Sequence, residues 1–184
     1  FYTQHTEEFY DFYKNKMIFL DAKPNKAHLK LAEMERAGKL SAIVTQNIDG
    51  LHQAAGSKNV FELHGSVHRN YCQKCGKFFD VNYVVNAKGV PYCDECGGII
   101  KPDVVLYEEG LDSQTINGAV RAISKADMLI IGGTSLVVYP AAGMIDYFKG
   151  KYLAVLNRDA TSRDKQADLC ITDPIGEVLG RIRV

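Results

Sequence analysis

The sequence carries no excess of charge of either sign: 22 Lys and Arg stand against 22 Asp and Glu in 184 residues. A chain without a net field has no electrostatic drive toward nucleic acid or anionic lipid, which argues against both as partners. It also lacks a secretory signal, because Phe1-Tyr2-Thr3 leads into neither a basic nor an apolar segment. It opens without an initiating Met, so a chain processed or cropped at its N-terminus is expected. Internal repeats and low-complexity linkers are absent. Long hydrophobic runs nearly are. The one uncharged stretch of membrane-spanning length, Met128 to Ile145, is interrupted by Gly132-Gly133-Thr134-Ser135 and by Pro140, and reads better as strand, turn and helix start.

What is present is the composition of an ordinary globular protein, with 46% hydrophobic and 24% charged residues. The length suits one domain with a small appendage. Four of the five cysteines fall as Cys72-x2-Cys75-x17-Cys93-x2-Cys96, the spacing of two zinc knuckles that face each other. Four thiolates close a tetrahedron and leave no position for a catalytic water, so Zn2+ here is expected to be structural, holding together a segment too short to build its own core. Two disulfides or four free thiols are the alternative, which the missing secretion signal disfavours. Cys170, in Asp168-Leu169-Cys170-Ile171, reads as a small buried hydrophobe.

Along the chain, Thr6 to Phe19 has helical spacing, with Phe9, Phe12, Tyr13 and Lys16 or Met17 on one face. A second helix opens at Pro24-Asn25 with Ala27, Leu31, Met34 and Ala37 as its stripe and Gly38 as its terminator. Strands are expected at residues 40–45, 60–63, 102–107, 127–131 and 152–156, and helices between about 51 and 56 and over 113–125, 140–148 and 176–182. The cysteine module, residues 67–100, interrupts this alternation as an insertion. The remainder, 1–66 and 101–184, then forms an α/β domain with a parallel sheet and helices on both faces.

Ligands of such sheets bind at the carboxyl ends of the strands. Polar loops stand at four such ends: Gln46 to Asp49, His64, Gly132 to Ser135, and Asn157. The glycine-threonine-serine loop admits a diphosphate closely, or is a plain turn. Asn157 can bond a ribose hydroxyl or cap a turn. His64, opened to approach by Gly65, suits proton transfer from a hydroxyl, although a lone histidine is more often structural. Asp49 orients an amide or a cation, or caps the next helix.

Taken together, Thr45-Gln46-Asn47-Ile48-Asp49-Gly50-Leu51-His52, Glu62-Leu63-His64-Gly65, the four cysteines, Lys101-Pro102-Asp103-Val104-Val105-Leu106-Tyr107 and Gly133-Thr134-Ser135-Leu136-Val137-Val138-Tyr139-Pro140-Ala141-Ala142 closely resemble the sirtuins, bacterial-type NAD-dependent protein lysine deacetylases. The resemblance implies a Rossmann-like domain with a zinc ribbon, binding NAD and an acyl-lysine protein or peptide. It makes His64 the general base. Gln46, Asn47, Ile48 and Asp49 then wall the ribose and nicotinamide, and Gly133, Thr134 and Ser135 hold phosphate and ribose. Asn157, Arg158, Asp159 and Ile175 serve the adenosine. Val104, Val105 and Tyr107 line the acyl-lysine tunnel, with the Val105 carbonyl accepting the amide N–H, and the peptide adds as a strand along Glu108, Glu109, Val137 and Val138. The products implied are nicotinamide, 2′-O-acyl-ADP-ribose and free lysine.

Two departures stand out. Tyr107-Glu108-Glu109 replaces the family's usual Phe-Gly-Glu, losing a glycine. The family's N-terminal Gly-Ala-Gly segment, which supplies the central strand and the diphosphate turn, is absent from these 184 residues, so the chain as given is expected not to turn over. Desuccinylation, long-chain deacylation or ADP-ribosyl transfer are alternatives within the family. A zinc-ribbon binding module and an inactive peptide-binding fragment are alternatives outside it. A cytoplasmic monomer is expected.

Overall fold

The computed structural model describes all 184 residues, Phe1 to Val184. The helices are α1 (Thr6–Phe12), α2 (Lys26–Arg36), α3 (Leu51–Ala54), α4 (Val81–Asn86), α5 (Ser113–Lys125) and α6 (Ile175–Gly180), with a π turn after α1 at Tyr13–Met17 and 3-10 turns at Ala141–Tyr147 and Asp164–Gln166. The strands are β1 (Ile43–Thr45), β2 (Val60–Glu62), β3 (Gly65–Cys72), β4 (Phe78–Phe79), β5 (Ile100–Val104), β6 (Met128–Gly132), β7 (Tyr152–Leu156) and β8 (Leu169–Ile171). They form two compact units, and no helix is long and apolar enough to cross a membrane.

The first unit comprises Phe1–Ala22, Asn47–Gly50 and His64–Gly110. Its sheet is antiparallel in the order β4-β3-β5, with Gly65 opposite Val104 and Cys72 opposite Ile100. Asp80 caps α4, its Oδ1 accepting the Tyr83 N–H at 2.9 Å. Phe9, Tyr10 and Tyr13 join Val67, Phe79, Val84 and Ile100 in one core. The cysteine module expected as a 67–100 insertion is therefore part of a larger body that includes the N-terminal helix. The helical face differs from the expected one: Tyr10 is fully buried, and its hydroxyl donates to the Ile100 carbonyl, whereas Phe12 is 55% exposed. Residues 9, 10 and 13 share one side of a regular helix while Phe12 lies nearly opposite Tyr10, so the 3.6-residue period holds and the buried face is turned toward Tyr10 rather than Phe12.

The second unit comprises Lys23–Gln46, Leu51–Leu63 and Leu111–Val184. Asn25 caps α2, its Oδ1 accepting the N–H groups of Ala27 and His28 at 2.9 and 3.2 Å, and Gly38 ends that helix region at φ +69°. Its strands run parallel, as expected, in two ladders: β1-β2, and β6-β7-β8. α5 lies close on β2 because Gly118 has no side chain; a Cβ there would stand 2.3 Å from the Phe61 ring. Leu63, Ala119, Ile123 and Met144 form one buried cluster, and Ala27, Ala154, Leu156 and Leu179 another.

Residues 140–148 are helical as expected, in the 3-10 form over Ala141–Tyr147. One local expectation is corrected. Cys170 is exposed, not buried, because it sits in β8, the edge strand of its sheet, with its Sγ 3.6 Å from the Asp164 carbonyl.

Candidate active site and metal centre

The cysteine pairs arrive on two tight turns, each closed by a glycine in the left-handed region: Gly76 N–H donates to the Cys72 carbonyl at 2.9 Å, and Gly97 N–H to the Cys93 carbonyl at 3.0 Å. The four Sγ atoms lie within 4.8 Å of one another, with Cys72 to Cys96 at 3.4 Å and Cys75 to Cys93 at 3.7 Å. Tetrahedral zinc with thiolates at about 2.3 Å requires sulfur separations of about 3.8 Å, so this cage is the right size. It is also shaped around its contents. A Cβ on Gly98 would stand 2.8 Å from Cys72 Sγ and 3.4 Å from Cys96 Sγ. Lys77 Nζ reaches Asp94 and Glu95 at 2.8 Å each, tying one turn to the other. Four cysteines positioned for a metal ion fill a tetrahedron and leave no position for a water ligand, which fits structural zinc.

From this ribbon β5 leads to the segment expected to receive an acyl-lysine. Val104 is buried, Val105 half-buried, and Tyr107 wholly exposed. The Val105 N–H donates to the His64 carbonyl at 3.0 Å, so this segment and the expected base are fixed to each other. His64 is half-buried and followed by Gly65 at φ +76°. No other residue fits there: a Cβ on Gly65 would lie 1.9 Å from the Asp103 carbonyl oxygen. In the same unit, the Ile48 carbonyl accepts the Val67 N–H at 3.0 Å, and the Asp49 carbonyl faces His68 Nε2 at 3.0 Å. The loop of Asn47, Ile48 and Asp49 is thereby docked by its backbone on β3.

Glu108 occupies the left-handed region at φ +73°, where a side chain costs about 1–2 kcal/mol. A residue other than glycine here thus gives a strained turn. Its neighbour Glu109 is held. Partial burial pushes the Glu109 carboxyl up, but the Leu106 N–H and the Lys101 ammonium outweigh this and keep it below the usual carboxylate range.

The remaining expected residues collect in the second unit at the carboxyl ends of β1, β6 and β7. Gln46 Nε2 donates to Thr134 Oγ1 at 3.3 Å, and Thr134 Oγ1 accepts the Leu136 N–H at 3.2 Å. Gly133, at φ +62°, donates its N–H to the Leu156 carbonyl at 3.1 Å, which sets the glycine turn beside the end of β7. There Asn157 Nδ2 donates to the Asp159 carbonyl at 2.8 Å, while Arg158 and Asp159 are exposed. Ile175 packs on Gly132 so closely that a Cβ there would stand 2.4 Å from its Cδ1. Ser135, Val137 and Val138 are exposed beyond the turn. The expected residues thus form two groups, one in each unit. The contact of Lys101 with Glu109 and the left-handed backbone of Leu136, φ +56°, carry no local signal in the sequence, since both come from how the chain turns back.

Parallel strands whose carboxyl ends gather a glycine turn, hydroxyls and an amide, together with a four-cysteine cage, define a nucleotide-binding α/β protein with a structural metal ribbon. Residues 1–140 match the Sir2 family. An NAD-dependent protein deacetylase of Clostridium acetobutylicum is 66% identical over 180 residues, covering 97% of this chain and 74% of that protein. A solved structure described as Sir2 with a p53 peptide and NAD+ superposes with a TM-score of 0.92 at 41% identity, covering 98% of this chain and 78% of that one. Another, Sir2Tm bound to a propionylated peptide, gives 0.91 at 40% identity, with 98% and 79% covered. The chain belongs to the Sir2 family.

Proposed function

We propose that this sirtuin is an NAD-dependent protein lysine deacetylase, acting on acyl-lysine proteins or peptides and yielding nicotinamide, 2′-O-acyl-ADP-ribose and free lysine. The observation that carries the residue assignment is the hydrogen bond from the Val105 N–H to the His64 carbonyl, which couples the base to the acyl-lysine segment. A backbone accounting of that segment supports it. The Val104 carbonyl accepts from Lys101 Nζ and the Leu106 carbonyl from the Glu109 N–H, while the Val105 carbonyl has no donor within the protein.

When bound, NAD supplies an electrophilic ribose carbon with nicotinamide as its leaving group. The residues of this chain do the rest. The Val105 carbonyl takes the acyl-lysine amide N–H, with Val104 and Tyr107 flanking the side chain and Glu108, Glu109, Val137 and Val138 offering backbone to the peptide. Gln46, Asn47, Ile48 and Asp49 orient ribose, water and carboxamide. Gly133, Thr134 and Ser135 present N–H and hydroxyl groups to phosphate and ribose, and Asn157, Arg158, Asp159 and Ile175 the adenosine site. The His64 imidazole removes the proton from the ribose hydroxyl that attacks the acyl group. Cys72, Cys75, Cys93 and Cys96 hold zinc away from this chemistry. Thiolate ligands suit a reducing cytoplasm, and the zero net charge supports a protein that does not use nucleic acid as a partner. It acts as a monomer.

The test is release of nicotinamide from NAD by the protein as expressed from its gene, with and without an acetyl-lysine peptide. Turnover should need both substrates and should vanish in His64→Tyr at unchanged zinc content. Deacetylation without NAD, or an active His64→Tyr, would overturn the reading.

A further inference from the structure

We propose that Lys101 is a positioning residue for acyl-lysine recognition: acting through Glu109, it fixes the segment Val104 to Leu106 so that the Val105 carbonyl alone faces the incoming amide. The inference rests on the reading of Val105 as that acceptor. It goes beyond it by naming what sets the acceptor's direction.

Lys101 lies in β5 with its side chain 20% exposed, and its ammonium turns back along its own strand. It meets three acceptors, one for each N–H it carries: the Pro102 carbonyl at 3.4 Å, the Val104 carbonyl at 3.2 Å and Glu109 Oε2 at 3.0 Å. The same Oε2 accepts the Leu106 N–H at 2.9 Å, and the Glu109 N–H donates to the Leu106 carbonyl at 3.1 Å. One ammonium and one carboxylate therefore close the turn from 106 to 109 at both side chain and backbone. The turn contains Glu108, at φ +73°. A backbone residue held in that region persists only where its surroundings over-determine it, and the Lys101–Glu109 pair is the surrounding that does so here.

The segment's polar groups are divided as a result. The Val104 and Leu106 carbonyls and the Val105 and Leu106 N–H groups are all engaged within the protein. An extended peptide backbone can rotate its carbonyls; this one cannot, since each neighbour of the Val105 carbonyl is tied. Removing the ammonium frees the Val104 carbonyl to compete for the same amide and lets the turn relax. The expected loss is in peptide binding rather than in chemistry, because His64 keeps its own contact to Val105 through a carbonyl that Lys101 does not touch.

The experiment measures steady-state kinetics of Lys101→Met, Lys101→Arg, Glu109→Gln and the Lys101→Met/Glu109→Gln double variant, varying acetyl-peptide and NAD separately, with zinc content and melting temperature alongside. Lys101→Met should raise the peptide KM about tenfold, with kcat, the NAD KM and zinc content within twofold of the parent. Lys101→Arg should recover most of the loss, and the double variant should be no worse than Lys101→Met. An unchanged peptide KM, or a rise shared by the NAD KM, would overturn the inference. A peptide methylated on the acyl-bearing lysine nitrogen separates the two levels: it has no N–H to give, so the parent protein should bind it far more weakly. If it binds equally well, Val105 is not the acceptor and the reading beneath the inference fails with it.

Discussion

Replacing Gly65 with alanine tests whether the β3–β5 contact sets the position of His64. The new Cβ would stand 1.9 Å from the Asp103 carbonyl oxygen, against an ordinary contact of about 3.5 Å, so the two strands must part by about 1.5 Å where Gly65 pairs with Val104. Three losses follow. The left-handed backbone at φ +76° costs about 1–2 kcal/mol with any side chain. Forcing a packed contact apart costs about 1–3 kcal/mol. The hydrogen bond from Val105 to the His64 carbonyl, adjacent to the displaced pair, contributes about 1 kcal/mol. The total is about 4 kcal/mol, or a fall in melting temperature of about 12 °C for a chain of this size. A misplacement of about 1 Å at a catalytic group lowers kcat/KM about 100-fold. Gly89→Ala is the control, because Gly89 has φ +65° but nothing within 4 Å of its Cβ, so it suffers the backbone term alone. Thermal unfolding by circular dichroism and peptide-dependent nicotinamide release provide the readouts. Equal destabilisation by the two substitutions, or a Gly65→Ala variant with normal kcat/KM, would refute the collision as the reason glycine stands there.

Tyr10→Phe should destabilise by about 1–2 kcal/mol, since it strands the buried Ile100 carbonyl, whereas Tyr13→Phe should be neutral or slightly stabilising, because the buried Tyr13 hydroxyl has no partner; urea unfolding midpoints decide between them. Gly98→Ala should weaken zinc retention against a chelator by crowding Cys72 and Cys96, and Cys93→Ser should lose zinc and solubility together; metal content by atomic absorption checks both, and full zinc occupancy in either would contradict the four-thiolate cage.

The parts legible from sequence were those fixed by local signals. The helix expected at 113–125 is α5, where Asp112 accepts the Thr115 N–H at 2.7 Å and opens a long periodic stretch, and the strand at 152–156 is β7, an apolar run between turns. The paired cysteine spacing carried the metal cage because two-residue gaps fix thiolates on one side of a turn. What could not be read depended on distant partners. Phe12 and Tyr10 exchange roles because the surface that α1 meets is made by residues 60 to 90 positions later. Cys170 looks buried in a short apolar run, but an edge strand has no neighbour to cover it. Lys101 and Glu109 are both ordinary charged residues in sequence, and only the turn between them makes them a pair. Positive φ at Glu108 and Leu136 has no glycine to announce it.

The turn after β5 also bears on how such a protein changes over generations. Gly65 and Gly98 tolerate no side chain, because one faces a backbone carbonyl and the other the metal thiolates. Tyr107 and Glu108 project from the same chain segment into solvent and belong to no core. Packing therefore leaves the side chains at 107 and 108 open to variation, limited at 108 by its left-handed backbone, while the glycines behind His64 and in the metal cage stay under a separate and much stricter steric constraint.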